Sequence, residues 1–187
     1  MQLLTPTHWQ DYELIDCGDF EKLERFGKYI TIRPEPQAVW KKKYSYAEWE
    51  KQAHGTFVPK SSSSGEWKAL KKMPDQSTIS YPLGNTEITL RLGLTSFKHV
   101  GVFPEQACNW DVIFDYLSPL EKPKFLNLFA YTGGASVAAR AAGADVTHVD
   151  SIKQVVNWAN ENMQKSNLDN IRWMIDDALK FVKKEQR

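Results

Sequence analysis

Cysteine is scarce: Cys17 and Cys108 are the only two in 187 residues, and neither sits in a C-x-x-C pair or beside a histidine cluster. That excludes a disulfide framework and a structural zinc centre, and it fits a reducing cytoplasm. A charge of one sign is also missing, since 24 Lys and Arg stand against 23 Asp and Glu for a formal net charge of +1. The chain as a whole therefore exerts no long-range pull on nucleic acid, and any such pull must come from a local patch. No apolar run approaches the roughly 18 residues of a membrane span. The N-terminus carries His8, Asp11, Glu13 and Asp16 among its apolar residues, which is no signal peptide. What is present, 42% hydrophobic and 25% charged residues, is ordinary for a globular protein of one large domain or two small ones.

The informative stretch is 124–150. Its apolar run Phe125-Leu126-Asn127-Leu128-Phe129-Ala130 is short enough for a buried parallel strand. Gly133-Gly134 gives a turn open to unusual dihedrals and to close approach by a ligand. An Ala-rich helix follows over 135–142, with Gly143 as its stop, and a second strand over 145–149 ends on Asp150. Strand, glycine turn, helix, strand and acid outline a nucleotide-binding βαβ unit. The turn and helix N-terminus face a polar or anionic ligand, and the acid accepts ribose hydroxyls. The G-x-G-x-x-G of dinucleotide sites is absent, because the aligned positions are Tyr131, Gly133 and Ser136, and this disfavours NAD.

The phrase Asn127-Leu128-Phe129-Ala130-Tyr131-Thr132-Gly133-Gly134 resembles the first motif of class I S-adenosylmethionine-dependent methyltransferases. It is most similar to the branch containing the bacterial 23S ribosomal RNA large-subunit methyltransferases, where N-x-F-x-Y-T-G-G replaces the commoner acidic loop. The resemblance runs from about Tyr12 to the C-terminus and is strongest over 125–150. It implies S-adenosyl-L-methionine as cofactor and methyl transfer to a base of RNA, ribosomal RNA in the branch's logic. It further implies that Tyr131, Thr132, Gly133 and Gly134 lie along the methionine moiety and that Asp150, with Ser151 beside it, holds the ribose. Asn127 and Phe129 belong to the same motif. In Asp176-Asp177-Ala178, Asp177 would receive the adenine amino group, with Asp176 in reserve. Lys98–Gln106 resembles the segment that closes over the methionine end, which would make Phe103 and Gln106 pocket residues. Apart from the resemblance, Phe103 reads as a core residue, Gln106 as a helix cap, and either acid as an N-cap.

Elsewhere the patterns are weaker. Over 29–33, Ile30 and Ile32 alternate with Tyr29, Thr31 and Arg33 as a half-buried strand. Strands over 79–83 and 87–92, joined by Gly84-Asn85, form a hairpin. Between them, 40–73 holds eight lysines against three glutamates, interleaved with Trp40, Tyr44, Tyr46, Trp49 and Trp67. A short helix is expected over 44–52 and a flexible tip at Ser61-Ser62-Ser63-Ser64-Gly65. The Lys41–Lys72 segment suits single-stranded RNA, lysines for phosphates and aromatics for bases. A solvated surface whose aromatics cover the β module satisfies the same composition. Trp110, Ile113, Phe114 and Leu117 mark an amphipathic helix over 109–117. Cys108 beside it reads as a small buried residue. A helix over 151–166 has Ile152, Val155, Val156, Ala159 and Met163 inward and Asn157, Asn160, Glu161 and Asn162 on the wet side. A third strand over 171–175 and a helix over 179–184 complete the chain, and His148 reads as a core histidine.

The expected fold class is therefore α/β. An N-terminal, mostly antiparallel β module (1–96) precedes the first half of a Rossmann-like doubly wound sheet (97–187), with the strands in the order third, second, first. The acidic or Asn-Pro-Pro-aromatic phrase that would position a target base does not occur, so no catalytic or metal-ligating residue is assigned. The expectation is a fragment that contacts cofactor without turnover and self-associates through an open sheet edge. The alternative is a non-catalytic RNA-binding or assembly module with a methyltransferase-like half-domain.

Overall fold

A computed structural model describes residues 4–61 and 64–186, so Ser62 and Ser63 of the expected loop tip lie outside the described residues. The chain divides into two compact units. One is Trp9–Ile79 with Leu92–Gly101, and the other takes Ser80–Arg91, the chain from Val102 onward and the residues up to His8.

The first unit is built on a five-stranded sheet in sequence order: β1 (Tyr12–Gly18), β2 (Glu21–Phe26), β3 (Tyr29–Pro34), β4 (Gly55–Pro59) and β5 (Gly65–Ala69). All neighbours are antiparallel except β3 and β4, which pair in parallel across the crossover helix α1 (Tyr46–Gln52). Helix α1 starts at Ser45 through a reciprocal capping box with Glu48, which satisfies two backbone donors. Its Trp49 is fully buried and packs with Leu23, Ile32 and Ala53 in the core.

Strand β3 is not half-buried as its alternation implied, because Thr31 and Arg33 on the expected wet face are 2% and 3% exposed. For Arg33 the cause is a buried ion pair, whereas the Thr31 hydroxyl is buried without a hydrogen-bond partner. Arg33 donates from Nε at 2.8 Å and approaches from Nη2 at 2.6 Å to Glu24, which is itself fully buried and takes a third bond from the Tyr12 hydroxyl. A buried pair needs its remaining hydrogen bonds satisfied, and here they are.

The chain then forms the hairpin β6 (Gln76–Leu83) and β7 (Thr86–Gly93), with Ile79, Tyr81, Leu83, Ile88, Leu90 and Leu92 buried. In the second unit, a 3-10 turn at Pro104–Gln106 leads into α2 (Ala107–Leu117). Then follow β8 (Lys124–Leu128), α3 (Gly134–Ala141), β9 (Asp145–Asp150), α4 (Lys153–Lys165), β10 (Ile171–Ile175) and α5 (Ala178–Glu185). The three strands are parallel in the order β10-β9-β8, with Thr147 of β9 opposite Leu126 and Arg172. Central β9 buries Val146, His148 and Val149 completely. Each such valine is worth roughly 1.5–3 kcal/mol against exposure. Helix α3 ends in a Schellman motif: Gly143, at φ +89°, donates to Arg140 and Ala144 donates to Ala139.

Three expectations are corrected here. Asn162 is fully buried rather than wet, Ile152 precedes α4 and is 55% exposed, and Cys108 is only half-buried.

Candidate functional site

Ligands of open parallel sheets gather beyond the C-terminal ends of the strands. There β8 stops at Leu128, and Phe129, Tyr131 and Gly133 take left-handed backbone conformations at φ 53°, 51° and 81°. For the two aromatic residues such dihedrals cost on the order of 1–3 kcal/mol each and persist only where the surroundings over-determine them. They do so through four hydrogen bonds. Ala130 N–H donates to Val149 O at 3.1 Å and Gly133 N–H to Ala130 O at 3.0 Å. Tyr131 N–H donates to Asp150 Oδ2 at 2.9 Å, and the Asn162 side chain donates to Thr132 O at 2.8 Å.

Asp150 closes two turns at once, since its Oδ1 accepts the Ile152 N–H at 3.0 Å. Each carboxylate oxygen thus takes one backbone donor and keeps acceptor capacity for a hydroxyl. Helix α3 begins at Gly133 without a side-chain cap. Its first-turn N–H groups and the positive end of its dipole are suited to an anionic or polar ligand atom. Both glycines are sterically required. A Cβ at Gly133 would lie 2.8 Å from the Ala159 Cβ, and one at Gly134 would lie 2.7 Å from the Trp110 ring.

Beneath the turn runs a buried polar chain. Asn127 Nδ2 donates to Ser136 Oγ at 2.9 Å, and Ser136 Oγ lies 3.0 Å from His148 Nδ1. A serine hydroxyl can accept as well as donate, so the direction of the Ser136–His148 bond follows the imidazole tautomer, and His148 Nε2 is buried without a hydrogen-bond partner. The His148 ring packs edge-on against Trp173 at 4.8 Å. Burial pushes its pKa down to about 4, against a weaker upward pull from Asp150, so His148 is neutral and structural.

Phe103 packs against Tyr131 with ring centroids 4.9 Å apart. Gln106 is exposed and occupies the N-cap position of α2 without capping it; its Oε1 accepts from Asn109 at 2.8 Å. Ser151 is exposed and Ala178 is buried. Asp176 continues the β9–β10 pairing, its N–H on Asp150 O at 3.2 Å. Its carboxylate meets Lys184 at 2.6 Å, and that bond holds it below the usual carboxylate range. Asp177 caps α5 by accepting the Lys180 N–H at 2.9 Å. Among the described residues no group of three His, Cys, Asp or Glu is placed to hold a metal ion.

Asn162, Ser136 and Trp110 were not read as site residues from sequence. The signal for Asn162 was its spacing, because Val155, Ala159, Asn162 and Ser166 recur at i, i+4, i+7 and i+11, on one helix face. Its polarity hid the pattern.

In the Lys41–Lys72 segment several side chains are engaged within the first unit. Lys41 meets Asp19 at 3.0 Å yet stays 93% exposed. Lys42 meets Glu21 at 2.6 Å and lies over the buried Trp49 ring at 4.3 Å. Lys43 lies over Tyr44 and Lys60 pairs with Glu66. Trp40 and Tyr46 are exposed. Among the described residues no helix is long and apolar enough to cross a membrane.

No protein-family model matches the chain. It is 33% identical over 96 residues to the ribosomal RNA large subunit methyltransferase K/L of Shewanella frigidimarina, covering 50% of this chain and 13% of that protein. The Pseudoalteromonas translucida protein of the same description is 44% identical over 62 residues, 32% of this chain and 9% of its own length. Among solved structures, the S-adenosylmethionine-dependent methyltransferase from Agrobacterium tumefaciens superposes with a TM-score of 0.89 at 38% identity, covering 98% of this chain and 58% of that one. A putative methyltransferase from Streptococcus mutans shares the fold at a TM-score of 0.70 and 18% identity, covering 95% of this chain and 49% of its own. The chain thus spans a small part of these curated relatives and little more than half of the Agrobacterium chain. Its fold is that of S-adenosylmethionine-dependent methyltransferases, the class the Asn127–Gly134 phrase resembles.

Proposed function

We propose that this chain forms the cofactor-holding part of an S-adenosylmethionine-dependent RNA methyltransferase, with the cofactor seated beyond the C-terminal ends of β8, β9 and β10. The observation that carries this reading is the Tyr131–Asp150 bond beside the uncapped start of α3. It sets a hydroxyl acceptor and a positive helix end on the two sides of one left-handed turn. When bound, the cofactor supplies a methyl group already activated on a sulfonium. The protein's work is therefore alignment and exclusion of water.

Asp150 accepts the ribose hydroxyls with its remaining lone pairs, with Ser151 alongside. The backbone of Tyr131–Gly134 orients the methionine moiety, and Asn127 holds the turn from below through Ser136. Phe103 against Tyr131 keeps water from the methionine end, and exposed Phe129 and Gln106 flank the opening. Asp177 meets the adenine amino group with its second oxygen, Asp176 being the alternative, and Ala178 lies beneath.

RNA is the substrate class that the relatives' names support, and ribosomal RNA the first choice. Lys41 and the exposed rings of Trp40 and Tyr46 are the contacts assigned to it. Such a substrate puts the protein in the cytoplasm. The outer edge of β8, where Leu126 is 48% exposed, is the surface assigned to self-association.

Calorimetric titration with S-adenosylhomocysteine and, separately, NAD tests the reading. The expected result is saturable binding of the former alone. RNA binding without S-adenosylhomocysteine binding would favour the assembly-module alternative, and NAD binding would overturn both.

A further inference from the structure

The Asn162 side chain is completely buried in the last turn of α4, on a stripe that packing alone would fill with an apolar residue. A buried amide is costly unless its bonds are made, and both are made to backbone. Nδ2 donates to Thr132 O at 2.8 Å, and Oδ1 accepts Arg91 N–H of β7 at 2.7 Å. The Thr132–Gly133 peptide is therefore held at both ends, its carbonyl by Asn162 and its N–H by Ala130 O. The next carbonyl, on Gly133, is taken by Val137 N–H at 2.8 Å. Together these bonds fix the direction in which the Gly134 amide leaves the helix start.

We propose that Asn162 is a positioning residue for the cofactor turn: its carboxamide sets the Thr132–Gly133 peptide and ties it to β7, so that the backbone donors at the start of α3 are aimed before ligand arrives. This rests on the cofactor reading above. Preorganisation of this kind raises affinity by removing an ordering cost at the moment of binding. Ser166, the C-cap residue of α4 four positions further on, supplies a matched control. Its hydroxyl accepts Thr89 N–H at 2.9 Å and donates to Asn162 O at 2.8 Å, so it serves the same helix–strand contact without touching the turn.

The test compares Asn162→Asp with Ser166→Ala in the full chain. Asp keeps the acceptor for Arg91 but sets a carboxylate oxygen against the Thr132 carbonyl. S-adenosylhomocysteine affinity is expected to fall about ten-fold in Asn162→Asp and to stay within about two-fold in Ser166→Ala. Native-state amide exchange at Gly133 and Gly134, measured without ligand, is expected to quicken about ten-fold in the first variant alone. Asn162→Ala carries the same comparison if Asn162→Asp does not fold. Equal behaviour of Asn162→Asp and wild type, or losses in both variants that merely follow their melting temperatures, would overturn the proposal. A wild-type chain that ignores S-adenosylhomocysteine would sink the cofactor reading, and the exchange rates would still decide whether Asn162 holds the turn.

Discussion

The carboxylate of Asp150 accepts the backbone N–H of Tyr131 at 2.9 Å, joining the last residue of β9 to the turn that follows β8. Because its other oxygen takes the Ile152 N–H, the same acid shapes the exits of two neighbouring strands. An acid at this position thus has a structural task before any ligand binds, and its unused lone pairs are presented at a fixed height above the sheet. Fold and site are coupled through one side chain.

The glycine pair should tolerate no side chain. Gly133→Ala combines a left-handed φ of 81° with a 2.8 Å approach to Ala159, and is expected to cost about 2 kcal/mol. Gly134→Ala drives a methyl into the Trp110 ring at 2.7 Å, with a cost of about 2 kcal/mol from overpacking. Adding Trp110→Phe should recover about 1 kcal/mol of the second cost, which denaturant unfolding of the double-mutant cycle would measure. Additive losses would show that the two residues do not meet.

His148 gives the molecule an acid-sensitive core. Its folded pKa of about 4 lies below the ordinary 6.5, so the unfolded chain binds the proton more readily. The stabilisation is complete above about pH 6.5 and is lost as pH falls toward 4, amounting to about 2 kcal/mol between pH 7 and pH 5. Urea unfolding at those two values should show the drop in wild type and a smaller one in His148→Gln. An identical slope in both proteins would remove His148 as the cause.

The lysines of the basic segment should separate by role. Lys42 pairs with Glu21 and covers Trp49, so Lys42→Glu should lower the melting temperature. Lys41→Glu at a 93% exposed position should leave stability unchanged. It should weaken RNA binding and reduce the salt slope by about one, the share of a single neutralised phosphate. RNA affinity and slope unaffected by Lys41→Glu would take this residue out of the interface.

The second unit was largely legible in the sequence because its elements follow simple periods. The apolar run from Phe125 marked β8, although none of that strand's five residues is buried, the Gly133-Gly134 pair gave the turn, and Gly143 gave the stop of α3. The first unit was less legible. Strands β1, β2 and β5 carry charged residues on buried or paired positions, Glu24 above all, so the alternation that marks a half-wet strand is missing. The same masking hid Asn162: a polar letter on an apolar stripe reads as solvent-facing until its two backbone partners, far apart in sequence, are brought to it. Asp177 reads from sequence as either a ligand contact or a helix cap, and it caps α5 through one oxygen, which leaves the other for the ligand role proposed above.

The measurement that bears most directly on this account is the affinity of the wild-type chain and of Asp150→Asn for S-adenosylhomocysteine, taken side by side by calorimetry. Asn keeps the size of the side chain but replaces one of the two acceptors with a donor, so either the Tyr131 or the Ile152 bond is broken together with removal of the charge proposed above to meet the ribose. One site per wild-type chain and an affinity lower by about ten-fold or more in the variant is the result expected. Equal affinities, or a wild-type chain that takes up no S-adenosylhomocysteine, would contradict the assignment.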